Sequence, residues 1–171
     1  MLKAETRTPE HREKHPFGKI PVLDVGNHLI PSTRDLEATA SFEDAASMEV
    51  CYFSTSAFRY SADIIIKPKL GIPRIDEKAL QEIWGEVSDA MKVMDGTLSR
   101  RTYLAGSEFT LVDIWKMPWV YLLIELKGGA DALFSGLPHL RQWWETVIMR
   151  PASQEAYKLM SEAYKVMNEA S

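Results

Sequence analysis

Phe109-Thr110-Leu111-Val112-Asp113-Ile114, led in by Tyr103-Leu104-Ala105-Gly106-Ser107-Glu108, is the stretch on which the fold turns. Thr and Asp three residues apart, at the head of an apolar run, form a capping box. The Thr110 hydroxyl accepts from the Asp113 N–H, and the Asp113 carboxylate reaches back to the Thr110 N–H. Two of the donors that every helix start leaves unpaired are thereby satisfied. Phe109 and Ile114 flank the box where a hydrophobic staple packs. The helix that follows runs through Trp115, Trp119, Leu122 and Ile124 to Lys127. Gly128-Gly129 ends it, because glycine takes the left-handed backbone of a helix stop at little cost.

The flanking segments read the same way. Asp76 to Leu98 places Ala79, Leu80, Ile83, Trp84, Val87, Ala90, Met91, Met94 and Leu98 at spacings of three and four, one face of a helix with Asp76 as its N-cap. Pro138 to Arg150 does so through Leu140, Trp143, Trp144, Val147 and Ile148. Pro151 stops that helix and opens a last amphipathic one over 151–171. Upstream, Asp35 to Cys51 is helical through Leu36, Phe42, Ala45, Ala46 and Val50, and a separate helix covers Phe58 to Ile66, ended by Pro68 and Gly71. Residues 1–34 differ: they are rich in Pro, Gly and charge, with one short strand candidate, Ile20-Pro21-Val22-Leu23. The expected architecture is mostly α, a bundle of five or six helices over 35–171 behind a small appendage over 1–34.

Composition narrows the function. Apolar residues make up 46% and charged residues 26% of 171 residues, enough for one good core. Net charge is −4 and no basic block is present, so nucleic acid is not an expected partner. The start, Met1-Leu2-Lys3-Ala4-Glu5-Thr6-Arg7, lacks the apolar core of a signal peptide. The most apolar stretch, 119–124, is too short to span a bilayer. The single cysteine, Cys51, allows no intrachain disulfide and fits a reducing cytoplasm.

The segment Tyr103 to Asp113 resembles the helical-domain signature of cytosolic glutathione transferases. Leu137-Pro138-His139-Leu140-Arg141-Gln142-Trp143-Trp144-Glu145 with Arg150-Pro151 resembles the family's C-terminal helix pair. Phe42-Glu43-Asp44-Ala45-Ala46-Ser47-Met48-Glu49, followed by Lys67-Pro68-Lys69-Leu70-Gly71, is similar to the phi-like members found in fungi, a group often tied to secondary metabolism. Thr8-Pro9-Glu10-His11 and His15-Pro16-Phe17-Gly18-Lys19-Ile20-Pro21-Val22-Leu23 resemble the second helix and third strand of the glutathione-binding half. The resemblance implies a glutathione transferase C-terminal-type helical bundle, residues 35–171. Ahead of it stands a remnant of the thioredoxin-like α/β domain, residues 1–34, lacking the first strand, first helix and catalytic Ser, Tyr or Cys. It also implies that the proline matched by Pro21 is cis.

The same resemblance suggests site residues. For glutathione, the co-substrate, these are Arg7 toward the glycyl carboxylate, Lys19, Ile20 and Pro21 near the cysteinyl part, and Ser32 and Thr33. Arginine can grip a carboxylate through two parallel hydrogen bonds. Two alignments stay open. An ungapped one sets Ser32-Thr33-Arg34 on the family's Glu-Ser-Arg. A gapped one fits Leu29-Ile30-Pro31 to a later loop and leaves out the γ-glutamyl anchor. The hydrophobic acceptor, a small electrophile, would lie against Tyr52, Phe53, Phe58, Trp115 and Trp119, with Phe53 and Trp115 favoured and Trp143 and Trp144 structural. For all of these the competing readings are solvated charge and ordinary core. His11 and His15 have helix spacing but no acidic or Cys partner at metal-site spacing, so no metal is expected. Cys51 reads as a small buried hydrophobe or, if exposed, as a partner for a mixed disulfide with glutathione.

Two functions remain open on these grounds. One is an enzyme that conjugates glutathione to a hydrophobic electrophile or uses its addition to isomerise one. The other is an inactive module of the same fold that mediates protein contacts. Either is expected to be a homodimer.

Overall fold

The computed structural model describes the backbone of residues 36–169 and the side chains of residues 38–166. The chain divides after Thr39 into two compact units. The second unit, Ala40–Ser171, is built of helices. Among the described residues the helices are α1 (Leu36–Met48), α2 (Thr55–Ser61), α3 (Lys67–Lys69), α4 (Glu77–Leu98), α5 (Leu111–Leu126), α6 (Ala130–Leu133), α7 (Pro138–Ile148) and α8 (Pro151–Glu169). The described β-structure is a lone bridge between Tyr103 and Gly106.

The largest departure from the sequence reading lies at the front of this unit. The expected break between Cys51 and Phe58 is absent. Residues 36–69 follow one helical path, with π-helical stretches at Glu49–Ser54 and Ala62–Ile66 joining α1, α2 and α3. The cluster Ser54-Thr55-Ser56 looks like a loop signal because its hydroxyls compete for backbone groups. Here they bond back into the helix itself. Thr55 donates to the Val50 carbonyl at 2.7 Å, and Ser56 to the carbonyls of Tyr52 and Phe53 at 2.5 and 3.0 Å. Ser54 donates to the Glu49 carboxylate. A π turn carries extra residues, which rotates the face that meets the core. Phe53, Ala57 and Tyr60 continue the buried stripe, while Val50 and Cys51 swing out to solvent. The expectation of a buried Cys51 is therefore overturned.

The other helices fall where their periodicity places them. On α4 the Asp76 carboxylate accepts from the Ala79 N–H at 2.8 Å, and Leu80, Ile83, Val87, Met91, Met94 and Leu98 are buried. The capping box of α5 closes: the Asp113 carboxylate accepts from the Thr110 N–H at 2.9 Å. The Thr110 oxygen also meets the Val112 N–H at 3.3 Å. The staple is less complete. Phe109 stacks edge-on against Tyr103, 5.6 Å between centroids, and the Arg150 guanidinium lies 4.0 Å over its ring, while Ile114 faces solvent. At the far end the Gly129 N–H returns to the Ile124 carbonyl at 2.9 Å and the Gly128 N–H to Glu125 at 3.4 Å. That is the paired closure which needs a positive φ, and Gly128 has φ 80°.

The core lies where α4 packs against α2 and α7, and α5 against α2. Its bulk comes from Phe53, Met91, Leu123, Leu140 and Trp143. Each such side chain contributes roughly 1.5–3 kcal/mol on leaving water. Two carboxylates tie elements together at a distance. Asp95 on α4 accepts from the Leu140 N–H at 2.8 Å and so caps α7, whose own flanking residue Leu137 offers no side-chain cap. Asp63, buried in the second π stretch, accepts from Lys67 at 2.7 Å, from the Ile75 N–H at 3.0 Å and from Arg74 at 3.2 Å. It thereby holds the 70–76 connection against the helix it follows. No described helix is long and apolar enough to cross a membrane, and no described cluster of three His, Cys, Asp or Glu is placed to hold a metal ion.

Candidate functional site

Helix α5 shows a different chemistry on each side. Its inward face begins with Asp113, which is fully buried. One carboxylate oxygen accepts from the Leu104 N–H at 3.1 Å and from the Trp143 indole N–H at 2.8 Å. The other accepts from the Thr110 N–H and hydroxyl, at 2.9 and 3.2 Å. One side chain thus joins the start of α5, the 103–106 turn and α7, which lies thirty residues further along. Trp143 is structural, as its sequence position suggests: its ring is buried and its indole N–H makes this bond.

The outward face carries Trp115 and Trp119, four residues apart and so stacked along one side. Trp115 meets Phe42 of α1 with ring centroids 6.2 Å apart and planes at 60°. Trp119 meets Phe58 of α2 at 6.0 Å and 79°. Edge-to-face pairs like these contribute about 0.5–1.5 kcal/mol each beyond area burial. The stripe stays open to solvent: Phe58 is 50% exposed and Trp115 37% exposed. Tyr52, on the first π stretch, is 63% exposed.

The five residues suggested for the acceptor therefore separate. Phe58, Trp115 and Trp119 share one aromatic surface, and Phe42 joins them. In the sequence Phe42 shows only as a helix-face residue, and its place three turns before Phe53 gives no hint of the Trp115 contact. Phe53, one of the two favoured residues, is 1% exposed and belongs to the core. The π turn that points Val50 outward is what turns it in. Arg7, Lys19, Ile20, Pro21, Ser32 and Thr33 lie outside the described residues, as do His11 and His15.

A residue that sequence reading passed over is Lys116. It follows Asp113 by three and precedes Val120 by four, so helical spacing alone puts it on the core face. It is 2% exposed, its Nζ 4.8 Å from the centre of the Phe53 ring. Burial lowers its pKa from 10.5 to about 8, against the opposing pull of the nearby Glu49 and Asp113 carboxylates.

Residues 46–151, well over half of the chain, match the family model described as "Glutathione S-transferase, C-terminal domain". The chain belongs to that family. The Asp113 box and the buried α5 of this glutathione transferase domain lie inside the matched span. Glutathione S-transferase F10 of Arabidopsis thaliana is 27% identical over 175 residues, covering 91% of this chain and 80% of the relative. Glutathione S-transferase hmp2 of Hypomyces subiculosus is 26% identical over 171 residues, covering 88% and 80%. Among solved structures, glutathione S-transferase I from maize, in complex with an atrazine glutathione conjugate, superimposes with a TM-score of 0.69 at 23% identity. It covers 92% of this chain and 81% of that one. The last similarity bears on the fold alone.

Proposed function

We propose that this chain binds glutathione as co-substrate and sets it against a small hydrophobic electrophile held on the Phe42–Trp115 and Phe58–Trp119 surface. The observation that carries the reading is that open aromatic stripe, on the helical unit of a family whose members include a structure solved with a glutathione conjugate. The chemistry asked of the protein is limited. A thiol with a pKa near ~8.5 is mostly protonated at neutral pH, so hydrogen bonds to the charged sulfur raise its reactivity. Holding the electrophile beside the sulfur supplies much of the remainder as lost entropy already met. The thiolate adds to the electrophilic carbon, giving a conjugate. On a conjugated olefin the same addition, rotation about the new single bond and expulsion of the thiolate would isomerise it.

In this reading residues 1–34 are the glutathione-contacting remnant, with Arg7, Lys19, Ile20, Pro21, Ser32 and Thr33 as anchors, and no thiol activator is assigned. We place the chain with the fungal, secondary-metabolite type of transferase, cytoplasmic and homodimeric; the transferase of the pseurotin/synerazol pathway is an example of that type. The test is calorimetry with glutathione at millimolar concentration, then with the Ile20-Pro21 pair replaced by Ala-Ala. Heat in the first and its loss in the second support the reading. Silence in the first ends the enzyme hypothesis, and an unchanged second moves the anchor elsewhere.

A second reading is a module for protein contacts. It is favoured by Ile66, Leu70 and Ile72, large apolar side chains exposed around the α3 turn. A glutathione-silent chain that is monomeric alone and dimerises only with a partner would select it.

A further inference from the structure

A cavity of about 430 Å3 opens between the end of α4, the 99–107 turn and α7. That is within the roughly 300–1,000 Å3 usual for small-molecule sites. Its buried lining is Leu98 and Trp143; its exposed lining includes Arg100, Arg101, Thr102, Ser107 and His139. None of the lining residues is acidic, in a chain whose net charge is −4. None of them is among the residues proposed for glutathione or the electrophile.

The two guanidiniums set this place apart. Among the described residues every other arginine has a partner: Glu86 for Arg59, Asp63 for Arg74, Asp131 and Glu145 for Arg141, and the Phe109 ring for Arg150. Arg100 and Arg101 have no described carboxylate within ion-pair reach, and the side chains of Thr102, Ser107 and His139 have no described hydrogen-bond partner. Two cations just beyond a helix also complement its dipole. That role needs neither an acid-free cavity nor free hydroxyls beside it.

The walls are fixed from behind. Tyr103 and Gly106 exchange backbone hydrogen bonds of 2.9 and 3.2 Å, which brings Ser107 back alongside Thr102. Asp113 pins this turn through the Leu104 N–H and holds the Trp143 indole N–H. Asp95 draws the first turn of α7, which carries His139, against α4 through the Leu140 N–H at 2.8 Å. Donors on a fixed frame lose little freedom when an anion arrives. A guanidinium meets phosphate oxygens through parallel N–H bonds. A carboxylate offers two oxygens, whereas a phosphate group offers three with up to two charges and so occupies more of these donors.

We propose that this cavity binds a phosphate group, free or as the monoester of a small polar molecule, on Arg100 and Arg101, with Thr102, Ser107 and His139 as further donors. Gln142 and Thr146 on α7 line the space left for the hydroxylated body of a monoester.

Inorganic phosphate and glycerol 3-phosphate are the probes, followed on the full chain by calorimetry and by the amide and indole NMR signals, at an ionic strength of about 0.1 M. A Kd of about 1 mM or tighter is expected for at least one of them, with shifts at Thr102, Ser107 and the Trp143 indole. Tighter binding of glycerol 3-phosphate assigns the site to a phosphorylated metabolite, and tighter binding of inorganic phosphate to the free ion. Benzoate, a flat monoanion, should bind about tenfold or more weakly, the factor a lost charge-assisted hydrogen bond carries. Arg100→Gln combined with Arg101→Gln should weaken the tighter probe by a similar factor. Arg59→Gln combined with Lys92→Gln removes the same charge elsewhere and should leave the affinity unchanged. Ser107→Glu, which keeps both arginines and sets a negative charge in the cavity, should abolish binding. All these side chains are exposed, so the thermal midpoint should be retained. The proposal is overturned if neither probe binds at about 10 mM, if benzoate binds as well, if the Arg59 and Lys92 pair loses as much as the arginine pair, or if both cavity variants keep the wild-type affinity.

Discussion

The two faces of α5 differ in what each residue is for. Inward, Asp113 meets four donors in a fully buried site and ties α5 to a turn and to α7. Outward, Trp115 and Trp119 each meet one ring; Trp115 stays open to water, and Trp119 is half-buried against the core. Asp113 holds the helix in place; the tryptophans pair with rings of α1 and α2 and carry the surface proposed for the electrophile. The contrast sets two different costs of truncation within seven residues, because a carboxylate without water must be fully bonded, whereas a half-exposed ring loses little when truncated.

The largest effect should come from Asp113→Ala, which strands the Leu104, Thr110 and Trp143 donors together. A loss of about 3–5 kcal/mol is expected in denaturant unfolding. Trp143→Phe removes one donor and should cost about 1–2 kcal/mol. If Asp113→Ala cost no more than Trp143→Phe, Asp113 would not be the joint described here.

Asp63 offers a second inward carboxylate with a pH signature. Burial pushes its pKa up, but the bonds from Lys67, the Ile75 N–H and Arg74 outweigh this and hold it below the ordinary 3.8. A depressed carboxylate contributes stability above its unfolded pKa and loses it as pH falls through the lower folded value. Acid unfolding should therefore steepen below about pH 4, the ordinary carboxylate range. Asp63→Asn should flatten that limb and cost about 2 kcal/mol at neutral pH. An unaltered acid limb in the variant would remove Asp63 from the account.

Lys116 runs the opposite way. Its folded pKa of about 8 lies below the unfolded 10.5, so between those values the unfolded chain holds a proton that the folded chain does not. Stability should rise with pH across that window. Lys116→Met should erase the rise and be neutral to stabilising by about 1–3 kcal/mol at pH 7. Thermal melts in steps from pH 7 to 11 decide it, and a rise that survives in the variant belongs to another group.

The smallest stability effect should be on the outward face. Trp115→Ala should cost about 1 kcal/mol or less, yet weaken a hydrophobic S-alkyl glutathione probe by roughly tenfold, since one aromatic contact is removed from the ligand. A variant that unfolds markedly, or binds the probe as before, would move Trp115 from the binding surface into the core.

The helices were legible because their signals are local. Asp76, Thr110 and Asp113 cap within one turn, Gly128-Gly129 stops within one turn, and apolar spacing repeats every few residues. The π stretches were not legible, because nothing in the spacing between Cys51 and Phe58 shows that the Thr55 and Ser56 hydroxyls find carbonyls in the turn before. That one misreading displaced Val50, Cys51 and Phe53 together, since an added residue per turn rotates every face after it. The Trp115–Phe42 and Trp119–Phe58 pairs were half legible: Trp115, Trp119 and Phe58 stand among the acceptor candidates, whereas Phe42 reads only as a helix-face residue and neither pairing shows in the sequence.

By itself the sequence determined the helical class, the capping box and the ends of α4 and α5, all through interactions a few residues long, and its motifs carried the resemblance to the family. Tertiary structure alone decided that Trp143 completes the Asp113 site and that Asp95 caps α7. It alone decided that Phe53 belongs to the core, and that Lys116 is buried over the Phe53 ring. Those outcomes depend on which faces meet across dozens of residues. Burial, which only packing creates, then turns an ordinary aspartate into a joint and draws the pKa of an ordinary lysine down to about 8.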